Sequence, residues 1–449
     1  MGDDEGAVIP KNLPSVEDLN VAQLGPASLP SPLIDRGKRF TDESHRVLLS
    51  PFAHHLEERI ARNEKSPSFE PAGPRKELYF PPDKVSCGIV TCGGLCPGLN
   101  DVIRSIVLTL RNGYGVNRIL GFRYGYSGLS SQRHKDPMFL EPDELKRIHQ
   151  HGGTILGSSR GPQDLGDMVD TLLRWKVDVL FAVGGDGTLR GASDLWGEIK
   201  KRGLKISVIG VPKTIDNDLM WVERSFGFAT AVQEAQTVIR AAHSEADAAW
   251  NGIGLVKLMG RHSGFIAALA TLTNGDVDFC LIPEVPFTLH GQGGFFEALD
   301  KRLEASRHAV VVVAEGAGQK LLSEAENAER DASGNIKLKD VGLFMKHEIG
   351  QHLASRGDDF TIKYIDPSYT IRSLPANSMD SSFCQVLGQH AVHAAMAGRT
   401  DMMVGFWNHS FTNVPLQAAV GERKQIDPDG ELWQRVLGAT LQPTSLVGK

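Results

Sequence analysis

VLFAVGGDGT, residues 179–188, is the stretch that decides how this chain folds. Residues 179–183 are apolar without alternation, the pattern of a strand buried on both faces of a parallel sheet, and the glycines after them end the strand abruptly. Gly184, Gly185 and Gly187 surround Asp186, and Thr188 closes the group. Such a loop can wrap phosphates with backbone N–H groups while Asp186 reaches their Mg2+, which prefers oxygen ligands. An ordinary Asp-Gly turn is the plainer alternative, but a second glycine-rich strand end at 93–98 counts against it.

The same succession of short apolar run, turn and helical stretch extends outward from this point. Strands are expected at 85–90, 118–122, 206–211, 255–258, 279–282, 310–314 and 402–406, with helices such as 101–111, 229–242 and 295–306 between them. Their alternation, with a break near 244–250, predicts an α/β fold: two doubly wound, largely parallel-sheet lobes with an active-site cleft between them. The expected limits are an N-terminal extension over 1–75, a first lobe over 76–245 and a second over 246–400. A C-terminal segment, 401–449, is expected to pack back across the lobes. Nine of the 23 prolines fall in the first 75 residues, which read as an extension wrapped on the surface or partly disordered. The charged, glycine-punctuated run 319–340 reads as a surface excursion.

Composition excludes several classes. The chain has 449 residues, 41% hydrophobic and 23% charged, which suits a globular protein and not a coiled coil or a disordered chain. No apolar run reaches the ~18 residues of a membrane span. A net charge of −6 provides no polybasic surface for nucleic acid or an anionic membrane. The five cysteines, at 87, 92, 96, 280 and 384, are odd in number and scattered, so they predict buried thiols in a reducing, cytoplasmic compartment. The spacing of 87, 92 and 96 fits no zinc pattern. MGDDEGAVIPKN at the start lacks the apolar core of a secretory signal and the pattern for myristoylation.

Further loops at strand ends carry chemistry. GGLCPGLN, 93–100, lets backbone amides and a helix start approach an anion, although a tight strand-to-helix turn with no ligand would read the same. PKTIDND, 212–218, places Asp216 and Asp218 where ligands of open α/β sheets bind, and a carboxylate there can take a proton from a sugar hydroxyl attacking phosphorus. One of these two acids could equally be a helix cap or an Asx turn. MGRHSG (259–264), Glu315-Gly316 and YTIR (369–372) offer Arg261 and Arg372 to neutralise phosphate and Glu315 to accept from sugar hydroxyls, though any one of them could equally be a structural ion pair. Arg160, in GSSRGP (157–162), adds a cation. Together the loops describe phosphoryl transfer from a Mg2+-bound polyphosphate to a phosphorylated sugar.

GGLCPGLN, GSSRGP, GGDGT, PKTIDND, MGR and YxxR, in this order, resemble the phosphofructokinase family over about 80–415. VTCGGLCPGLN, GGTILGSSRGPQD, VKLMGR and YIDPSY resemble most its plant and trypanosomatid ATP-dependent branch. The resemblance implies fructose 6-phosphate and ATP as substrates, Mg2+ as cofactor, and a homo-oligomer, a dimer or tetramer. It implies Asp216 as proton acceptor, with Thr214 and Arg261 beside it in catalysis, and Asp186 as the metal ligand. Gly94, Arg160, Gly161, Gly185, Asp186, Gly187 and Thr188 would hold the donor in the first lobe. Thr214, Ile215, Asp216, Met259, Gly260, Arg261, Glu315, Tyr369 and Arg372 would hold the sugar phosphate. Donor choice falls on two residues that point in opposite directions: Lys213 is usual in pyrophosphate-dependent members, whereas Gly187 leaves room for the α-phosphate of ATP. Gly252 stands where bacterial members carry an arginine for the neighbouring subunit, and Tyr369 where a histidine is expected. The rival readings are a pyrophosphate-dependent enzyme and a non-catalytic regulatory subunit. An NAD or lipid kinase shares GGDGT but not PKTIDND, MGR or YxxR.

Overall fold

The apolar runs form strands that pair in parallel. In the computed structural model, which describes residues 14–133, 135–322 and 337–449, strand Val179–Gly184 lies between Ser86–Thr91 and Ser207–Pro212. Arg118–Gly121 and Met402–Trp407 extend this parallel centre on either side. The expectations for the extreme N-terminus, and those for most of the 319–340 excursion, lie outside the described residues. Among the described residues this sheet has nine strands, with antiparallel edges formed by Met138–Phe139 at one side and by Ser410–Pro415, Ser68–Pro71 and Val47–Leu48 at the other.

Both faces of this sheet are covered, as uninterrupted apolar strands require. Val179, Phe181 and Val183 face helices Leu99–Leu108 and Ser378–Met396, while Leu180 and Ala182 face Leu165–Arg174 and Asp186–Lys201. The second sheet runs Phe279–Leu281, His308–Ala314, Gly252–Leu258, Thr361–Ile365, all parallel. Helix Phe228–Asp247 covers one of its faces because Phe228, Ala231, Ala235, Ile239, Ala242 and Ala246 recur every three or four residues and form one buried stripe. Helices Phe295–Ser306 and Val341–Ser355 cover the other face.

The chain is distributed between the lobes differently from the expected limits. Helix Phe228–Asp247 packs on the second sheet, so the chain crosses near Gly227, ahead of 245; helix Ser378–Met396 packs on the first, so it returns near Asn377, ahead of 400. Asp380 ties these two helices together, its carboxylate accepting from the Thr230 N–H at 2.8 Å and hydroxyl at 2.6 Å. The C-terminal segment spans both lobes, with strands in the first sheet, helix Glu431–Thr440 packed on helix Phe265–Asn274, and Leu446 bridged to Phe287.

The N-terminal extension, expected on the surface, is built into the first lobe over its described residues. Leu19, Leu49 and Phe69 are fully buried. The Trp407 indole donates to the Leu49 carbonyl at 2.8 Å, and Glu70 accepts from Arg75, Arg399 and Asn413. Proline density suggests little regular structure here, but short strands need only two to four residues and tolerate proline at their ends, and helix Ala53–Ala61 fits between Pro51 and Pro67.

Phe69 packs edge-on against Trp221, which in turn meets Trp407. Phe69→Ala is therefore expected to cost about 3–5 kcal/mol, the range for a buried phenyl group. Urea unfolding followed by tryptophan fluorescence measures it, and a loss below about 1 kcal/mol would return the extension to the surface.

Candidate active site

Parallel strands direct their C-terminal ends to one edge of the sheet, and the backbone ladder carries the pairing one residue into the loops. The Cys92 N–H donates to the Val183 carbonyl and the Lys213 N–H to the Gly184 carbonyl, each at 2.9 Å. The loops 93–98, 185–188 and 213–218 thus leave the sheet at a common level. They open onto a cleft of about 1060 Å3 that is completed by the second lobe. Of the residues singled out in the sequence, Gly94, Arg160, Gly161, Gly185, Asp186, Gly187, Thr188, Lys213, Thr214, Ile215, Asp216, Met259, Arg261, Glu315, Tyr369 and Arg372 all line it. Gly260 does not; its φ of +129° makes the turn behind Met259, where a Cβ would lie 2.6 Å from the Ser263 carbonyl.

The first-lobe wall is built around a helix start. Helix Asp186–Lys201 begins at Gly185, and its first N–H groups and positive end face the cleft. A Cβ on Gly184 would lie 2.3 Å from the Thr188 hydroxyl, so this glycine is required by the turn itself. Gly187 differs: a Cβ there meets nothing within 4 Å. Cations converge on the opposite loop. The Lys213 ammonium donates to the Gly94 carbonyl at 2.9 Å, and a Cβ built on Gly94 would meet Arg160 at 3.3 Å and Arg372 at 3.6 Å. Arg160 and Arg372, assigned to donor and sugar, come from different lobes to the same glycine. Burial lowers the proton affinity of Lys213, and nearby Arg160 lowers it further.

The acids line the same cleft as these cations. The Asp218 carboxylate is buried between the Thr214 hydroxyl, 2.5 Å away, and Arg423, 2.8 Å away. Asp216 is treated differently: its buried Oδ1 accepts no hydrogen bond among the described residues. Burial, followed by the charges of Asp218 and Glu315, raises its pKa to about 8 against the pull of the Arg261 N–H and of Arg423. Glu315 is also pushed up by burial, opposed by Arg261, Lys257 and Arg372. Tyr369 is exposed at the rim, with the Arg372 guanidinium 4.7 Å from its ring centre.

The donor set suits Mg2+ brought in by a nucleotide. Among the described residues no three His, Cys, Asp or Glu side chains gather as a resident cage. Asp186 presents a carboxylate at the cleft, held only loosely by Arg190 at 3.4 Å and Arg423 at 3.6 Å. One or two carboxylates plus substrate phosphates is the usual Mg2+ arrangement. The cysteines are buried thiols without disulfides, and burial pushes Cys92, on the cleft wall, up to about 12.

Two features of the cleft escaped the sequence reading. Lys257 reaches Asp366 at 2.8 Å and Asp340 at 3.0 Å, and a lone cation inside the apolar run GIGLVKL was its available signal. Arg423 comes from GERKQ in the C-terminal segment, which carries no local signal at all. Gly252 also acquires a reason: a Cβ there would lie 2.0 Å from the Ala246 carbonyl, so no arginine fits this backbone.

The family model described as Phosphofructokinase matches residues 86–395. Over 440 residues the chain is 46% identical to the ATP-dependent 6-phosphofructokinase of Borreliella burgdorferi, with 96% of this chain and 98% of the relative covered. It is 49% identical over 439 residues to the ATP-dependent 6-phosphofructokinase of Amycolatopsis methanolica, covering 95% of each chain. With that of Trypanosoma brucei brucei it shares 45% identity over 433 residues, 95% of this chain and 88% of the relative. Among solved structures, a pyrophosphate-dependent phosphofructokinase from Marinobacter aquaeolei matches with a TM-score of 0.66 at 21% identity, covering 80% of this chain and 92% of that one, a likeness of fold. A chain matched in this way over most of its length belongs to the phosphofructokinase family.

Proposed function

We propose that the protein is an ATP-dependent 6-phosphofructokinase, transferring the γ-phosphoryl group of Mg-ATP to the C1 hydroxyl of fructose 6-phosphate to give fructose 1,6-bisphosphate and ADP. The observation that carries this reading is Asp216, a carboxylate with an unpartnered buried oxygen and a raised pKa, in one cleft with the phosphate-seeking cations Lys213, Arg160 and Arg372. As the C1 oxygen bonds to the γ-phosphorus and the bridging P–O bond to ADP breaks, the hydroxyl proton passes to Asp216. Its environment favours the protonated form, which suits a group that must receive a proton. Lys213, Arg160 and Arg372 are placed to offset the charge spread over the transferring oxygens, while Arg261 and Glu315 face the sugar. Thr214 holds Asp218, and with it the turn that carries Asp216. Mg2+ bound with ATP supplies further neutralisation of the phosphates, and Asp186 is the residue to hold it. Cytoplasmic residence and a homo-oligomer, dimer or tetramer, belong to the same reading.

Lys213 favours a second reading, pyrophosphate as donor, because its ammonium lies against Gly94 where a terminal phosphate would be met. Gly187 favours ATP: it is exposed at the head of the helix, and the space beside it is not taken by the protein. A coupled assay offering ATP and pyrophosphate separately decides, with ATP expected to be preferred. Gly187→Asp should fold normally and lose ATP turnover, since a carboxylate beside the α-phosphate repels it by a few kcal/mol at an effective dielectric of ~20. Preferential use of pyrophosphate by the wild type would reverse the assignment.

Asp216→Asn should lower kcat by ~10²- to 10⁴-fold with little change in sugar-phosphate binding, because general-base assistance is worth about that much. A near-normal kcat would make Asp216 structural. The wild-type kcat/KM should fall as pH drops below about 8, where Asp216 takes up its proton before substrate arrives. Asp218→Asn removes one of the charges that raise this pKa, so its acidic limb should move to lower pH. The sign for stability is opposite to the usual carboxylate case. A raised folded pKa means that the folded state binds the proton more tightly, so stability falls as pH rises from the unfolded value toward about 8. Asp216→Asn should therefore resist denaturant better than wild type at pH 9.

A further inference from the structure

Residues 423–426 bond to both lobes in four consecutive positions. Toward the first lobe, Arg423 bridges Leu219 in antiparallel register, and its guanidinium lies 2.8 Å from Asp218 and 3.6 Å from Asp186. The Lys424 N–H donates to the Asp218 carbonyl at 2.9 Å, and its buried ammonium donates to the carbonyls of Val222 at 2.6 Å and Glu223 at 3.2 Å. Toward the second lobe, the Gln425 side chain donates to the His262 carbonyl at 3.0 Å. The Ile426 N–H donates to Glu284 at 2.9 Å, and the same carboxylate accepts the Gly264 N–H at 3.0 Å at the head of helix Phe265–Asn274. This short run therefore laces the loop holding Asp216 to the loop holding Arg261.

Within that lacing Arg423 has a distinct position. Asp218 is buried, with the Thr214 hydroxyl on one carboxylate oxygen and Arg423 on the other, so the turn on which Asp216 rides is held by both. The next residue, Asn217, has φ of +57°, an uncommon conformation that the surrounding contacts must maintain. An exposed ion pair contributes almost nothing, but removing the cation from a buried carboxylate leaves an uncompensated charge, and the turn would rearrange to solvate it.

We propose that Arg423 is a positioning residue for phosphoryl transfer: supplied by the C-terminal segment, it holds Asp218 and Asp186 and, through Asp218, aims the turn that carries Asp216, without touching the reacting atoms. The proposal deepens the kinase reading above and rests on it.

Arg423→Gln, Arg423→Lys, Asp218→Asn and the Arg423→Gln/Asp218→Asn double variant test it together. Arg423→Gln should lower kcat by at least ~10-fold, since small misplacements of a reacting group cost 10- to 100-fold, while KM for fructose 6-phosphate stays within about twofold. Lysine should restore most of the loss. If Arg423 works through Asp218, the double variant should be no slower than the slower single variant; independent roles would multiply. Hydrogen exchange of the amides of residues 214–225 gives a readout free of turnover, and should quicken several-fold in Arg423→Gln while the strands of the second sheet are unchanged. A kcat within twofold of wild type, multiplying losses, or unaltered exchange in 214–225 would each overturn the proposal. A wild type that turns over neither ATP nor pyrophosphate would count against the kinase reading instead, and the exchange measurement would still decide whether Arg423 positions the turn.

Discussion

Everything in the cleft hangs from the parallel pairing of Val179–Gly184 with its two neighbours. Val183 lies opposite Thr91 and Gly184 opposite Pro212, so the next residues on either side, Cys92 and Lys213, still donate to this strand as their chains turn away. Three loops from distant parts of the sequence therefore start at one level and face one direction. Because side chains alternate across a sheet, a slip of one residue would exchange Phe181 and Val183 with Leu180 and Ala182 between two differently shaped cores. The packing of helices on both faces is what prevents that slip, and in doing so it fixes the distances among Gly94, Asp186 and Asp216.

The second determinant is an unequal sharing of counter-charge. Asp186, Asp194, Asp216, Asp218, Glu315 and Asp366 line the same cleft as Arg160, Arg190, Lys213, Lys257, Arg261, Arg372 and Arg423. Acids and cations are nearly balanced in number, so their pairing decides where charge is left for a ligand. The acids do not share the cations evenly. Asp218 has Arg423 and a hydroxyl at bonding distance, and Glu315 feels three cations. Asp216 is left with an unpartnered oxygen, and burial together with the charges of Asp218 and Glu315 raises its proton affinity. Two aspartates two residues apart thus acquire different surroundings, which is what the proposed division of roles between them requires.

Much of this was legible in the sequence because it is local. Buried parallel strands announce themselves as unbroken apolar runs, and the turns after them need glycine or short acids at fixed offsets, so 179–188 and 206–218 disclosed both strand and loop. What could not be read is what arises only on folding. Residues 68–71 and 410–415 are antiparallel strands paired across distant stretches of the chain, 410–415 with 402–407 and 68–71, and 68–71 also with 47–48, with little periodicity of their own. The resemblance singled out Asp216, but the residues themselves left it equivalent to Asp218; the Arg423 that pairs with Asp218 and not with Asp216 lies more than 200 residues away, in a segment with no motif. Helices 228–247 and 378–396 each pack on the sheet that does not precede them, which sequence order alone could not reveal.

The glycines illustrate the same limit and also how structure removes it. Gly184, Gly252 and Gly316 would each drive a Cβ to within 2.3 Å of another group, so the backbone accounts for them without any ligand. Gly187 has no such reason. Its φ is ordinary, it lies in the first turn of a helix where glycine costs up to ~1 kcal/mol relative to alanine, and no protein atom occupies the place of its missing side chain. Gly197, farther along the same helix, is equally open but does not line the cleft, so openness by itself does not assign an occupant. What sets Gly187 apart is its place, at the head of a helix whose positive end faces a cation-lined cleft, where the space beside it is what the ATP reading needs for an α-phosphate.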